Sequence, residues 1–68
     1  MYDLHIYFGK YGSYGVYVKG IVYDPKNYKE IYKYNHVFLY YPKKEIIKMI
    51  KFNCRNALNV KRFHTKIF

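Results

Sequence analysis

The chain has few of the residues that reinforce small folds or carry out catalysis. Its 68 residues include one cysteine, Cys54, so no internal disulfide can form. Its only acids, Asp3, Asp24, Glu30 and Glu45, are scattered, which argues against a two-metal nuclease cluster. The three histidines and the cysteine show no short metal-ligand spacing, so we expect no metal site and no other cofactor. The sequence therefore predicts a non-catalytic protein.

Long apolar runs are also missing. The longest is Val37 to Tyr41, far too short to span a bilayer, and the N-terminal MYDLHIYFGK lacks the basic start and apolar stretch of a signal peptide. Hydrophobic residues nevertheless make up 51% of the chain, which argues against disorder. A chain of this length builds one small core. We expect a single soluble domain over residues 1–68, in the cytoplasm, or in the host cytoplasm if a phage encodes it.

Basic residues are plentiful and unevenly placed. Thirteen Lys and Arg side chains against four acids give a net charge of +9. Residues 42–68 hold eight of these cations and one acid, so the positive charge is concentrated in the C-terminal part. Such a field favours a polyanion or an acidic protein as partner. Lysine and tyrosine codons are AT-rich, so a low-GC genome is an alternative explanation of the composition.

Three segments of alternating polarity predict β-strands: residues 2–8, residues 16–23 and Ile31–Tyr41. The segments GKYGSYG and DPKNYK between them predict tight turns. Gly20, in the middle of the second strand, predicts a bulge or a sharp bend. Alternation places the aliphatic side chains of all three strands on one face of the sheet. These side chains are Leu4, Ile6, Phe8, Val16, Val18, Val22, Val37 and Leu39.

A helix is predicted after the third strand. Pro42 suits its first position, and Asn59 suits a left-handed C-cap. Its apolar positions share one arc and are Ile46, Ile47, Ile50, Cys54, Ala57 and Leu58. The tail VKRFHTKIF alternates again and predicts a short fourth strand. The expected fold is α+β, a small antiparallel sheet in the order β-β-β-α-β, with one helix packed on its aliphatic face.

Two sets of side chains are candidate binding residues. The basic set is a helical stripe spaced 4-3-4 with two further cations: Lys44, Lys48, Lys51, Arg55, Lys19 and Arg62. The aromatic set is expected on the sheet face without the helix: Tyr17, Tyr23, Tyr32, Tyr34, His36 and Tyr40. Exposed rings can stack unpaired bases while cations hold phosphates. Aromatic pairs also stabilise sheets without any ligand.

These features predict a small binding module whose first candidate ligand is nucleic acid. The alternative is a phage- or mobile-element-encoded inhibitor of the anti-CRISPR type, or an adaptor, that binds a host protein or a nucleoprotein complex. A homodimer through the aromatic sheet face is a third kind of contact that the sequence allows. No membrane partner is expected, because the apolar arc of the helix is needed for the only core.

Overall fold

The computed structural model describes all 68 residues of the chain. Its elements are β1 (Tyr2–Tyr11), β2 (Gly15–Asp24), β3 (Lys29–Leu39), α1 (Lys43–Leu58) and β4 (Phe63–Ile67). The strands form one sheet in the order β3-β2-β1-β4, and α1 packs on one of its faces. The predicted α+β class and the order β-β-β-α-β are therefore confirmed. We call the sheet surface opposite α1 the open face.

The two turns between the first three strands have local causes. Gly12 has a φ of 67°, a conformation that favours glycine. Gly15 is also required, because a Cβ there would collide with the carbonyl oxygen of Tyr11. In the second turn, the Asp24 carboxylate accepts a hydrogen bond from the Lys26 backbone N–H at 2.9 Å. Both hairpins thus follow from residues that the turn itself supplies.

The fourth strand makes the sheet mixed, so the prediction of an antiparallel sheet holds only for β1, β2 and β3. It pairs with β1 in parallel, from Tyr2 beside Phe63 to Ile6 beside Ile67. A hairpin cannot join parallel strands, so α1 provides the crossover between the hairpin strands and β4. The backbone N–H of Phe68 donates to the Ile6 carbonyl at 2.8 Å and extends this pairing by one residue.

Both ends of α1 are defined by single residues. Pro42 is the N-cap, in an extended conformation with φ −64° and ψ 144°, so the helix begins one residue later than predicted. Asn59 is the C-cap in the left-handed region, φ 54° and ψ 46°, as predicted. The Val60 N–H then donates to the Arg55 carbonyl at 3.1 Å. Such a C-cap satisfies a carbonyl that would otherwise have no partner at the helix end.

The core lies between α1 and the middle strands. On the helix, Ile46, Ile50 and Cys54 are buried as expected, whereas Ile47 and Leu58 are only half-buried. Ile47 and Leu58 lie at the margin of the apolar arc, where the sheet covers only one side of each side chain. The fully enclosed side chains of the core are Leu4, Ile6, Val18, Val22, Ile46, Ile50 and Cys54.

Gly20 has a packing role instead of the predicted bulge. It pairs in register with Ile6 and lies directly beneath the helix. A Cβ at this position would lie 2.8 Å from Ile50 Cγ2. The glycine therefore allows the close approach of α1 to β2. The irregularity that was expected at Gly20 lies instead between Val22 and Tyr23, in the pairing of β2 with β3.

The predicted face assignment of β3 is wrong. Tyr34 pairs with Gly20 and His36 with Val18, and Tyr32 pairs with Val22. Directly opposed residues share a face of a sheet, so these three rings lie on the helix-covered side and not on the open face. Tyr32 and Tyr34 pack against the core cluster.

The aliphatic and aromatic residues of β3 thereby exchange roles. Phe38 is buried, with 5% of its surface exposed, whereas Leu39 on the open face is 52% exposed. Val37 also lies on the open face, together with Lys33 and Asn35. A helix over Val37 would have covered these two polar residues as well. Rings on an edge strand instead bury their carbon atoms and keep their polar atoms near water.

Tyr40 lies on neither face of the sheet. It follows the end of β3, has a φ of 63° and is 77% exposed. Its ring stacks on Tyr14 of the first turn, with centroids 5.2 Å apart. The predicted place of Tyr40 on the open face is therefore wrong, because β3 ends at Leu39 and the left-handed conformation of Tyr40 turns the chain out of the strand.

Candidate nucleic-acid interface

The basic stripe of α1 runs along the side of the helix that faces away from the sheet. Lys44 and Lys48 are exposed, and Lys51 and Arg55 are half-buried. Lys48 forms an ion pair with Glu45 at 3.7 Å. Arg55 Nε donates to the Lys51 carbonyl at 3.3 Å, which holds the guanidinium against the helix. The stripe and the open face thus lie on opposite sides of the molecule.

A groove of about 560 Å³ separates β3 from α1. It combines two predicted aromatic-set residues, Tyr34 and His36, with two predicted stripe residues, Lys48 and Arg55. The exchange of faces in β3 is what brings these rings to the helix. The remaining lining residues are Phe38, Tyr41, Met49, Phe52 and Asn53.

The rings on the strand side of this groove form a continuous row. Tyr34 and His36 are near-parallel, with centroids 6.1 Å apart. His36 meets Phe38 edge-on at 4.7 Å, and Phe38 meets Tyr41 edge-on at 5.7 Å. Such contacts limit ring motion and hold the row in place. The groove therefore offers a pre-ordered aromatic wall facing two cations.

Phe52 forms the helix side of the groove and was missed by sequence reasoning. It is 60% exposed, an unusual state for a large aromatic side chain of a helix. The sequence did carry a signal, because Phe52 lies outside the apolar arc that Ile46 and Ile50 define. Asn53 beside it donates from Nδ2 to the Met49 carbonyl at 2.9 Å.

The open face carries a second group of rings. Tyr7 and Phe68 are stacked, with centroids 4.8 Å apart and planes 8° from parallel. The His5 ring centroid lies 5.3 Å from that of Phe68 and 4.9 Å from that of Tyr23. The Lys19 ammonium lies 5.3 Å from the centre of the Tyr7 ring, in a cation–π contact. These rings contact one another, so the face is already partly packed without a partner.

Two predicted aromatic residues do lie on the open face. Tyr17 donates from its hydroxyl to Asn35 Oδ1 at 2.9 Å and is 40% exposed. Burial raises the pKa of Tyr23, and the nearby Tyr7 and Glu30 raise it further. The Tyr23 hydroxyl therefore stays protonated, and hence a hydrogen-bond donor, to higher pH than a free tyrosine.

The six predicted cations occupy three separate places. Four follow the outward side of α1, Lys19 lies on the open face, and Arg62 lies just before β4. Arg62 lines a recess that also includes Lys61, a residue that sequence reasoning did not single out. The sequence did contain an indication of Lys61, because it is adjacent to the predicted residue Arg62. No single surface therefore contains the whole basic set.

The remaining reactive groups are isolated. Cys54 is fully buried, and burial raises the pKa of its thiol to about 11, so the nucleophilic thiolate is scarce at neutral pH. No group of three or more His, Cys, Asp and Glu side chains is placed to hold a metal ion. The one helix, α1, is neither long nor apolar enough to cross a membrane. Comparison with protein-family models, curated proteins and solved structures finds no match to this chain.

Proposed function

We propose that the protein binds single-stranded nucleic acid through the helix side of the molecule. The observation that carries the proposal is the β3–α1 groove, where a row of rings faces Lys48 and Arg55. Unpaired bases stack on aromatic side chains, and cations beside them hold the phosphates. The stripe on α1 extends the positive charge beyond the groove, along the path of a bound strand.

The charge balance supports the same side. The protein has thirteen Lys and Arg side chains but only two salt bridges, Lys33 with Glu30 and Lys48 with Glu45. Most cations are thus free to meet an external anion. No acidic residue lines the groove. A polyanion approaching this side therefore gains attraction and competes with one internal partner only, Glu45, whose exposed ion pair with Lys48 stabilises the protein little.

The first test is the salt dependence of binding to an oligothymidylate. Four phosphate contacts give a slope of log affinity against log salt of roughly −3 to −4, from about 0.7–0.9 per contact. Replacing the stripe residues Lys44, Lys48, Lys51 and Arg55 by Gln should flatten this slope. The control replaces Lys19, Lys26, Lys29 and Lys66, which removes the same charge elsewhere. Equal flattening in both variants would reject the stripe as the contact surface.

The second test separates stacking from charge. Phe52→Ala changes an exposed ring, so folding stability should move by less than about 0.5 kcal/mol. Affinity for the oligothymidylate should fall by about 1–3 kcal/mol, the usual cost of a lost stacking ring. Tyr28→Ala is the control, because Tyr28 is equally exposed but lies in the β2–β3 turn. An abasic oligomer should bind wild type and Phe52→Ala equally, and a Phe52 effect on that oligomer would contradict stacking.

The open face favours a second candidate, an inhibitor or adaptor that binds a host protein. Tyr11, Tyr17 and Leu39 are exposed there, with 40% to 58% of each surface in water. Exposed apolar surface of this kind is typical of protein contacts. Under this assignment, Leu39→Asp would abolish partner capture and leave oligonucleotide affinity unchanged. Light scattering of the isolated protein separates this contact from a homodimer through the same face.

A further inference from the structure

A small recess lies at the C-terminal end of α1, on the side of β4. Its volume is about 160 Å³. Four cations line it, two from the helix, Lys51 and Arg55, and two from the loop before β4, Lys61 and Arg62. Phe63 and Thr65 of β4 complete the wall. The fold thus gathers helix and loop cations that are six to eleven residues apart in the sequence.

None of these four cations has an internal counter-ion. Both salt bridges of the protein involve other residues, and no acid lines the recess. Arg62 also borders a neighbouring recess that contains Asp24, but the two side chains form no ion pair. Like charges gathered in this way repel one another, and a bound anion removes that repulsion.

The donors of the recess suit a tetrahedral oxyanion. Arg55 Nε is occupied by the Lys51 carbonyl, which leaves its two terminal nitrogens as donors. Thr65 contributes a hydroxyl, and the lysines contribute ammonium groups. A volume of about 160 Å³ holds one phosphate group with a few waters, since a water takes about 30 Å³ in the liquid.

We infer that this recess is a phosphate-binding site. Arg55 lines both the recess and the β3–α1 groove, so the two are adjacent across the crest of the helix. Resting on the proposed function, the site holds a phosphate of the strand whose bases lie in the groove. A strand that follows the stripe then reaches this recess at Arg55, near the C-terminal end of α1.

Binding of inorganic pyrophosphate to the full chain tests the site directly. An amide NMR titration measures this binding. The expected shifts are concentrated at Arg55, Arg62 and Thr65. Lys61→Gln combined with Arg62→Gln should weaken pyrophosphate binding by roughly tenfold or more, as expected for lost charge-assisted hydrogen bonds. The control, Lys10→Gln with Lys19→Gln, removes the same charge from two lysines of β1 and β2 that do not line the recess and should leave binding unchanged.

Two outcomes overturn the inference: shifts spread evenly over all lysines, or an equal loss in the control variant. The same variants are then titrated with an oligothymidylate. If that oligomer binds while pyrophosphate does not, the phosphate site is wrong and the proposed function survives. If pyrophosphate binds and the oligomer does not, the phosphate site survives and the proposed function is wrong. Once pyrophosphate binding is established, tighter binding of a 5′-phosphorylated oligomer would identify a terminal phosphate as the occupant, and equal binding an internal one.

Discussion

The two sides of this sheet use aromatic residues in opposite ways. On the helix-covered side, Tyr32, Tyr34 and Phe38 of β3 belong to the core or pack against it, and the exposed His36 lies with Tyr34 and Phe38 at a basic groove. On the open face, Tyr7, Phe68, His5 and Tyr23 pack mainly against one another. The same residue types therefore support a core in one place and a thin surface layer in the other.

Charge separates the two sides further. Residues 43–62, which form α1 and the loop before β4, carry seven cations against one acid, Glu45, and Asp24 at the end of β2 borders that loop. The open face has three lysines, Lys19, Lys33 and Lys66, with Asp3 and Glu30 among them. An aromatic surface attracts nucleic acid only where unpaired cations surround it. The comparison teaches that ring count alone does not locate the candidate interface.

The largest expected effect concerns the face of β3 that meets the helix. Phe38→Ala should destabilise the protein by about 3–5 kcal/mol, because it empties a buried site. Its neighbour Leu39→Ala is the matched control and should change stability by less than about 0.5 kcal/mol, since Leu39 is exposed. Urea unfolding of both variants measures the difference. A larger loss in Leu39→Ala would show that the two faces of β3 are reversed.

A smaller effect is expected at the point where helix and sheet approach most closely. Alanine normally improves on glycine inside a strand by about 0.5–1 kcal/mol. Gly20→Ala should instead cost about 1–3 kcal/mol, because its Cβ would meet Ile50 Cγ2 at 2.8 Å. Ile50→Leu removes that methyl group, so the double variant should lose less than the sum of the singles. Thermal unfolding gives all three values, and a stabilised Gly20→Ala would disprove the close contact.

The smallest effect concerns the open face. The stack of Tyr7 on Phe68 should contribute about 0.5–1.5 kcal/mol, measured as the coupling in a double-mutant cycle with alanine. Oligonucleotide affinity should stay unchanged in Phe68→Ala, because this ring lies on the side away from the groove. A loss of affinity without a loss of stability would move the candidate interface to the open face.

Local pattern was sufficient to predict β1, β2 and the C-cap of α1, although β1 runs three residues beyond the predicted 2–8 and α1 begins one residue later than predicted. Alternation over a few residues and the capping preference of Asn59 need no knowledge of distant contacts. The face of β3 that meets the helix was harder to predict, because both sides of this strand carry apolar residues. Lys33 and Asn35 carried the decisive signal: they share a side with Val37, so that side is the poorer one to bury.

The candidate groove could not be derived from the pattern alone. Its existence depends on the face of β3 and on Phe52, two features that are fixed by tertiary packing. The sequence also could not predict that β4 pairs with β1 in parallel, because the pairing of a five-residue strand depends on long-range contacts. Lys61 and Arg62 are adjacent in sequence, but their meeting with Lys51 and Arg55 follows from that same pairing.

The parallel pairing of β1 with β4 has a consequence for the order of folding. The first three strands and their hairpins are contiguous in the chain, so they can form as each segment becomes available. The partner of Tyr2 is Phe63, about sixty residues further along. One edge of β1 therefore stays unpaired during synthesis until the helix and the strand after it have been made. In that interval the nascent chain exposes a sheet edge, and the time to complete β4 sets its exposure to aggregation.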